Sequence, residues 1–260
     1  MSGPDRAPVS GPNTVTLSGP DRFDAFWLSG WLSDCGHEAT CKLLTPPGYC
    51  MKSFPRPTRG GGIAVIYRQS LEPYLAFKQT VSYQHSTFEV VEVVISGSGA
   101  CTCVCVYRPP PSPKNKFTFS AFLIEIEELF DHHNTHTPEF VLLGDFNIHF
   151  DQPHNNDTKQ IRDALDCHGF KQLVDQPTRK SHIIDWIVTR ESSDLVYDVQ
   201  VNDYLRSDHS ATLCSLKIAK PAKQKRRVVR RNVKAVDADG FGAEAARLLS
   251  DKPPCTDQNT

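Results

Sequence analysis

The sequence predicts a mixed α/β fold, and three observations support that expectation. Short apolar runs that read as strands recur along most of the 260 residues. Between residues 119 and 130 the apolar period lengthens. Phe119, Phe122, Leu123, Ile126, Leu129 and Phe130 fall at three- and four-residue spacing, the stripe of an amphipathic helix. No segment repeats at a period of roughly 20–50 residues, which sets aside solenoids and propellers. Strands precede, separate and follow helices, so the architecture is mixed rather than a regular βαβ series.

Taken in order, residues 1–22 are rich in Pro, Gly, Ser and Asp without periodicity and are expected to form a disordered leader. Order is expected to begin in FDAFWLSGWL (23–32), apolar enough for a buried strand, before a surface loop over 33–60 broken by Pro and Gly. IAVIYR, the weaker YLAFKQTV, FEVVEVVI and CTCVCVYR then read as a four-stranded meander leading to the turn RPPPSPKNK. After the helix of 119–130 comes EFVLLGDFN, a short buried strand that ends in Gly-Asp. Asp157, with Gln160 three residues later, is placed to cap a second helix that buries Ile161, Ala164 and Leu165 and closes at Gly169. HIIDWIVT, YDVQVN and HSATLCSLKI read as three further strands. The stretch KPAKQKRRVVRRNVK has no apolar face wide enough to pack, and a helix-like DADGFGAEAARLLSD follows it. The expected organisation is a leader (1–22), a folded domain (23–219) and a basic tail (220–260) that begins a linker to an absent downstream region.

Charge and cysteine usage narrow the function classes. The net charge of −1 conceals an asymmetry, because residues 220–260 hold ten Lys/Arg against five Asp/Glu while the rest of the chain is acidic. An acidic body with a basic tail suggests a carboxylate-rich site and a polyanion contact outside it. No apolar run is long enough to cross a membrane, and no apolar region follows a basic start as in a secretory signal. The nine cysteines, an odd number, are expected as free thiols in a reducing compartment, and the protein as intracellular, in the nucleus rather than the cytoplasm. Cys101, Cys103 and Cys105 alternate along one strand face, where core thiols are expected rather than a zinc site.

The chemistry is concentrated in three short stretches, each set at the end of an apolar strand: Gly144-Asp145-Phe146-Asn147, Ile184-Asp185 and Ser207-Asp208-His209. A carboxylate flanked by apolar residues is costly unless it is paired or binds a cation. Converging Asp oxygens suit a hard divalent ion such as Mg²⁺ (or Mn²⁺), which contacts phosphate oxygens. An Asp-His pair sets a metal ligand beside a general base, and a further Asp bonded to that His would fix its tautomer. These are the parts of metal-assisted phosphate-ester hydrolysis.

LLGDFN, then Pro177-Thr178, His182 and Ile184-Asp185, then SDH, resembles the signature series of the endonuclease/exonuclease/phosphatase superfamily. GGGIAVIYR, YRPP, VLLGDFNIH and QPTR followed by HIIDWIVT are most similar to the apurinic-type endonuclease domain of non-LTR (LINE-type) retrotransposons. The resemblance implies a four-layered α/β sandwich, two packed mixed sheets flanked by helices. It implies His209 as general base oriented by Asp185, with Asp145 and Asn147 at the scissile phosphate and Asp208 as metal ligand. Tyr107, Arg108 and Thr178 are implied as phosphate contacts. DNA is the implied partner and Mg²⁺ the implied cofactor, with no small-molecule cofactor, no membrane and a monomeric state.

Two departures qualify the resemblance. The family carries a metal-binding Glu on an early strand; in FWLSGWL that position is Ser29, a much weaker ligand for a hard cation. The family's first strand, which ends in a metal-site Asn, has no good counterpart in residues 1–22, where Asn13 is a poor match, so this strand is expected to be missing. The leading reading is therefore a DNA endonuclease that has lost part of its metal site. The alternatives are a catalytically inactive DNA-binding remnant and a lipid or inositol phosphate phosphodiesterase of the same fold.

Overall fold

The computed structural model describes residues 45–55, 62–78, 85–96, 100–137, 139–203, 207–218 and 237–250, together with the backbone of Asn13–Ser18 and Ala25–Ser29. The chain divides into two compact units, Met1–Ala222 and Lys223–Thr260. The second contains one helix, Ala238–Ser250, begun by Asp237, whose carboxylate accepts from the Asp239 and Gly240 N–H groups. The basic stretch 220–234 lies outside the described residues.

The first unit is built from two six-stranded mixed sheets. One takes its strands in the order β11 (Val196–Asn202), β12 (Ala211–Leu216), β1 (Asn13–Ser18), β2 (Ala25–Ser29), β4 (Ile63–Arg68) and β3 (Tyr49–Phe54). The other runs β5 (Leu75–Lys78), β6 (Glu89–Ile95), β7 (Cys101–Tyr107), β8 (Phe140–Asp145), β10 (Asp185–Arg190) and β9 (Phe170–Gln172). Helices α1 (Phe119–His136) and α2 (Asn156–Cys167) complete this unit's described elements, so the expected pair of packed mixed sheets with helices is present.

Alternation along the strands explains how the layers pack. Val91, Val93 and Ile95 on β6, Cys101, Cys103 and Cys105 on β7, and Val141 and Leu143 on β8 share one face by register. All are buried, and Cys103 lies within electrostatic reach of Cys214 on β12, so this face meets the first sheet. The opposite face, with Phe140 and Phe170, receives α1. That helix buries Phe122, Ile126, Leu129, Phe130 and His133, the spacing read from the sequence. Its first turn is capped by Thr118, and Arg190 Nη2 donates to the His133 and Thr137 carbonyls at its last turn (2.7 and 2.6 Å). Each fully buried apolar side chain of this set contributes about 1.5–3 kcal/mol relative to exposure.

Four expectations are corrected. A strand does form within the anticipated leader: Thr14, Val15, Thr16 and Leu17 are suited to a strand, and β1 is held between β12 and β2. The expected loop of 33–60 contains β3, which pairs with β4 along its whole length. IAVIYR belongs to the first sheet rather than to a meander with its successors. The 3-10 turn Gln69–Tyr74, interrupted by Pro73, carries the chain from β4 across to β5 in the other sheet. The cap of α2 is Asn155, whose carbonyl oxygen accepts from the Asp157 and Thr158 N–H groups, so Asp157 is already inside the first turn. Gly169, at φ +68°, does close that helix, a left-handed conformation that favours glycine.

One glycine sets how closely β7 approaches β8. Gly144 adopts φ +144°, and a Cβ there would fall 1.8 Å from the Val106 carbonyl oxygen. Gly144→Ala therefore combines backbone strain with a clash against a paired strand. Its expected cost is at least about 3 kcal/mol, seen as a lowered urea midpoint in equilibrium unfolding. Wild-type stability in that variant would show that the two strands can separate without loss.

Candidate active site

The strand ends gather chemistry at one rim of the sandwich. Asp145 is the last residue of β8 and Asp185 the first of β10; the strands are antiparallel and these two residues lie directly opposite one another. Direct cross-strand partners point to the same face, here the face between the sheets. His209 stands two residues before β12, in the other sheet. Its Nδ1 lies 3.0 Å from Asp185 Oδ2, so the bond spans the two sheets. All three side chains are buried, and their ligating atoms lie within 4.8 Å of one another, the one such group among the described residues. The sequence reading set all three at the ends of apolar strands; Asp145 does end β8, whereas Asp185 begins β10 and His209 precedes β12.

Burial decides the protonation of this cluster. The Asp145 carboxyl is pushed up to about 7, first by desolvation and then by the neighbouring Asp185, against the opposing pull of His209, the Asn147 N–H and Arg179. For His209, burial is the largest single influence and acts downward. The hydrogen bond and charge of Asp185, with Asp145 behind, outweigh it and raise the imidazole above its ordinary value. Asp185 Oδ1 is buried with no hydrogen-bond partner among the described residues. A buried carboxylate pair with an orphaned oxygen and a carboxyl forced towards neutrality is the donor set a hard divalent cation satisfies. Asp145, Asp185 and His209 therefore fit a metal.

The surrounding residues hold the cluster in place. Asn147, at φ +48°, donates from its backbone N–H to Asp145 Oδ1 (3.0 Å) and from Nδ2 to Asp145 Oδ2 (2.9 Å) and the Arg108 carbonyl (2.8 Å). Trp186 stacks on Phe146 at 4.2 Å between ring centroids, which supports the turn from the helix side. Tyr107 is half-buried at the same rim and is the register partner of Asp145 on β7.

Three of the residues expected at the site have other partners. Asp208 is absent from the cluster: with His209 turned inward, its neighbour turns outward and pairs with Arg179 at 2.6 Å. Arg108 is only 3% exposed, with its guanidinium over the Phe122 ring and Nη1 donating to the Phe146 and Asn147 carbonyls (3.1 and 3.3 Å). It ties the Asp145–Asn147 turn to β7. Thr178 is fully buried; its Oγ1 accepts from the Ile184 and Asp185 N–H groups (3.1 and 3.0 Å), and its carbonyl accepts from Ser210 N–H (2.7 Å). It fastens the start of β10 to the segment carrying His209. Arg179 was missed, and its one sequence signal is its place directly after Pro177-Thr178 on the approach to Asp185.

Ser29 ends β2 opposite Asn13, which begins β1. Because β1 runs parallel to β12, the start of β1 lies at the edge from which His209 enters. The backbone positions of Asn13 and Ser29 therefore belong to the active rim, with Asn13 at the beginning of its strand and not at its end.

The protonation pattern predicts how stability varies with pH in metal-free protein. Asp145 holds its proton to about pH 7 when folded but releases it near 3.8 when unfolded, so the folded state binds more protons between these values. His209, raised when folded, adds stability below its unfolded value that is lost as pH rises through its folded one. Both act in one direction, and stability should fall from pH 5 to pH 8. In Asp145→Asn that slope should be shallower, and added Mn²⁺ should flatten it in wild type. Equal slopes in the two proteins by chemical denaturation would refute this account of Asp145.

The endonuclease/exonuclease/phosphatase family matches residues 14–209. No curated protein matches the chain. Among solved structures, the chain is similar to the 3′ phosphatase NExo from Neisseria bound to a product DNA hairpin, at 16% identity and TM-score 0.48, over 76% of this chain and 96% of that one. It is similar to the human Nocturnin catalytic domain with bound sulfate, at 16% identity and TM-score 0.48, over 77% and 93% of the two chains. It is also similar to D. rerio TDP2 complexed with a single-strand DNA product, at 9% identity and TM-score 0.48, over 77% and 96%. The family match spans both sheets and ends on His209, and the chain belongs to the endonuclease/exonuclease/phosphatase family.

Proposed function

We propose that the chain is a divalent-metal-dependent phosphodiesterase acting on DNA, of the endonuclease type found in LINE retrotransposons. The observation that carries the reading is the buried Asp145–Asp185–His209 cluster at the rim between the sheets. Asp185 accepts from His209 Nδ1–H and so leaves Nε2 as the basic nitrogen. His209 then removes a proton from water as its oxygen attacks phosphorus and the P–O bond to the leaving deoxyribose oxygen breaks. Asn147 holds Asp145 against the phosphate side of the site through two hydrogen bonds. Asp145, with the free oxygen of Asp185, would hold Mg²⁺ or Mn²⁺, which supplies positive charge against the phosphoryl oxygens.

DNA is favoured as substrate by the eight Lys/Arg in residues 220–234, a sequence suited to tracking a phosphate backbone and to nuclear import. Metal-dependent nicking of supercoiled plasmid is the direct test. His209→Ala should lower the nicking rate by about 10²–10⁴-fold, the usual cost of removing a general base. Undiminished, chelator-sensitive nicking by that variant would overturn the role given to His209.

One observation favours a second reading, a DNA-binding remnant without activity: a serine stands at the rim where the family places a carboxylate. If the wild type nicks DNA, Ser29→Glu should tighten the Mg²⁺ midpoint for nicking about tenfold, equivalent to about 1.4 kcal/mol; if it is a remnant, Ser29→Glu should raise nicking above a wild type that shows none. An unchanged midpoint with a lowered melting temperature would mean that position 29 does not serve the metal.

A further inference from the structure

We infer that Arg179 is the side chain that grips the substrate phosphate, a proposal that rests on the phosphodiesterase reading above. Three described arginines differ in what their donors do, and Arg190, at the far end of β10 from Asp185, lies away from the site. Arg108 is buried and spends Nη1 on two backbone carbonyls. Arg190 caps the last turn of α1. Arg179 instead keeps 34% of its side chain exposed, and the single hydrogen bond its guanidinium makes among the described residues runs from Nη2 to Asp208 Oδ2. A guanidinium has five N–H donors, so most of this one remains available to a ligand.

Its backbone, by contrast, is rigidly placed beside the chemistry. Arg179 and His182 close a tight turn through paired N–H to carbonyl bonds of 3.0 and 2.9 Å, with Lys180 at φ +53°. The preceding Thr178 is bonded to Ile184, Asp185 and Ser210, which fastens the turn to both segments of the Asp185–His209 pair. Asp208 in turn is the neighbour of His209. Arg179 is thus connected on both sides to the catalytic cluster, and its charge disfavours protonation of both Asp145 and His209.

The partnership with Asp208 is the kind that a substrate can displace. A part-exposed ion pair stabilises by only about 0–1 kcal/mol, whereas a guanidinium binds a phosphodiester through two parallel charge-assisted bonds. Arg179 would swing from the carboxylate to a non-bridging phosphate oxygen and offset the negative charge that develops there.

The same charge makes a prediction with two signs. It attracts a phosphate but repels a metal ion, so its loss should weaken one ligand and strengthen the other. In the full chain, Arg179→Gln, Arg179→Lys and the control Lys217→Gln are compared; Lys217 pairs with Asp194 beyond the far end of β12. Affinity for a short fluorescent DNA duplex is measured in EDTA across a salt series, and Mn²⁺ affinity by electron paramagnetic resonance. Arg179→Gln should weaken duplex binding about tenfold and lower the salt slope by about one, while binding Mn²⁺ more tightly. Arg179→Lys should keep the salt slope but recover only part of the affinity, because a lysine cannot make the two-pronged contact. Unchanged duplex affinity in Arg179→Gln, or weakening of both ligands together, would overturn the proposal. Neither readout requires catalysis: a wild type that binds duplex through Arg179 without nicking it sinks the endonuclease reading alone.

Discussion

The hydrogen bond between His209 and Asp185 is the constraint on which this architecture depends. The two residues belong to different sheets, both are nearly inaccessible to water, and each would be costly alone. A buried carboxylate and imidazole are tolerated because each gives the other a partner, with Asp185 Oδ1 left over, and removing either would strand a polar group in the interior. The pair therefore does two things at once. It pins the open rim of the sandwich, and it sets the imidazole nitrogen that chemistry requires.

Much of the surrounding polar structure serves to keep that pair in register. Thr178 spends its hydroxyl on the N–H groups that precede and include Asp185, and its carbonyl on the residue after His209. Arg108 and Asn147 do the equivalent for Asp145. Gly144 permits β8 to lie close enough to β7 for Tyr107 and Asp145 to stand side by side. None of these groups needs to touch a substrate to be necessary. A sequence motif records the need without distinguishing the two kinds of residue, and the bonds that Arg108 and Thr178 make are those of supports.

Legibility in the sequence followed the local strength of each signal. IAVIYR, CTCVCVY and the α1 stripe match their elements closely, because period and burial agree over six or more residues. The cluster residues Asp145, Asp185 and His209 were legible too, since a carboxylate beside buried apolar residues is hard to explain otherwise. What failed was non-local. The first strand has only a few β-formers amid Pro and Gly, and its place comes from the two strands that flank it. The assignment of β4 to the other sheet depends on a crossing at Gln69–Tyr74 that no alternation pattern can announce. Arg179 escaped notice because its meaning lies in a partner 29 residues away.

The departures at positions 13 and 29 bear on catalysis more than on folding, and the energetics explain why. A further anionic ligand would add to the repulsion that already drives Asp145 towards neutrality, and only a bound cation would offset it. A serine there makes no such demand, so the sandwich does not depend on a cation at that position. The Asp185–His209 bond, the Thr178 staple and the close approach at Gly144 are all made between protein atoms. Fold and activity are separable in such a chain: the interactions that close the rim are internal, whereas those that drive hydrolysis depend on charge brought from outside. A domain of this fold can therefore keep its imidazole–carboxylate pair whatever its affinity for an ion.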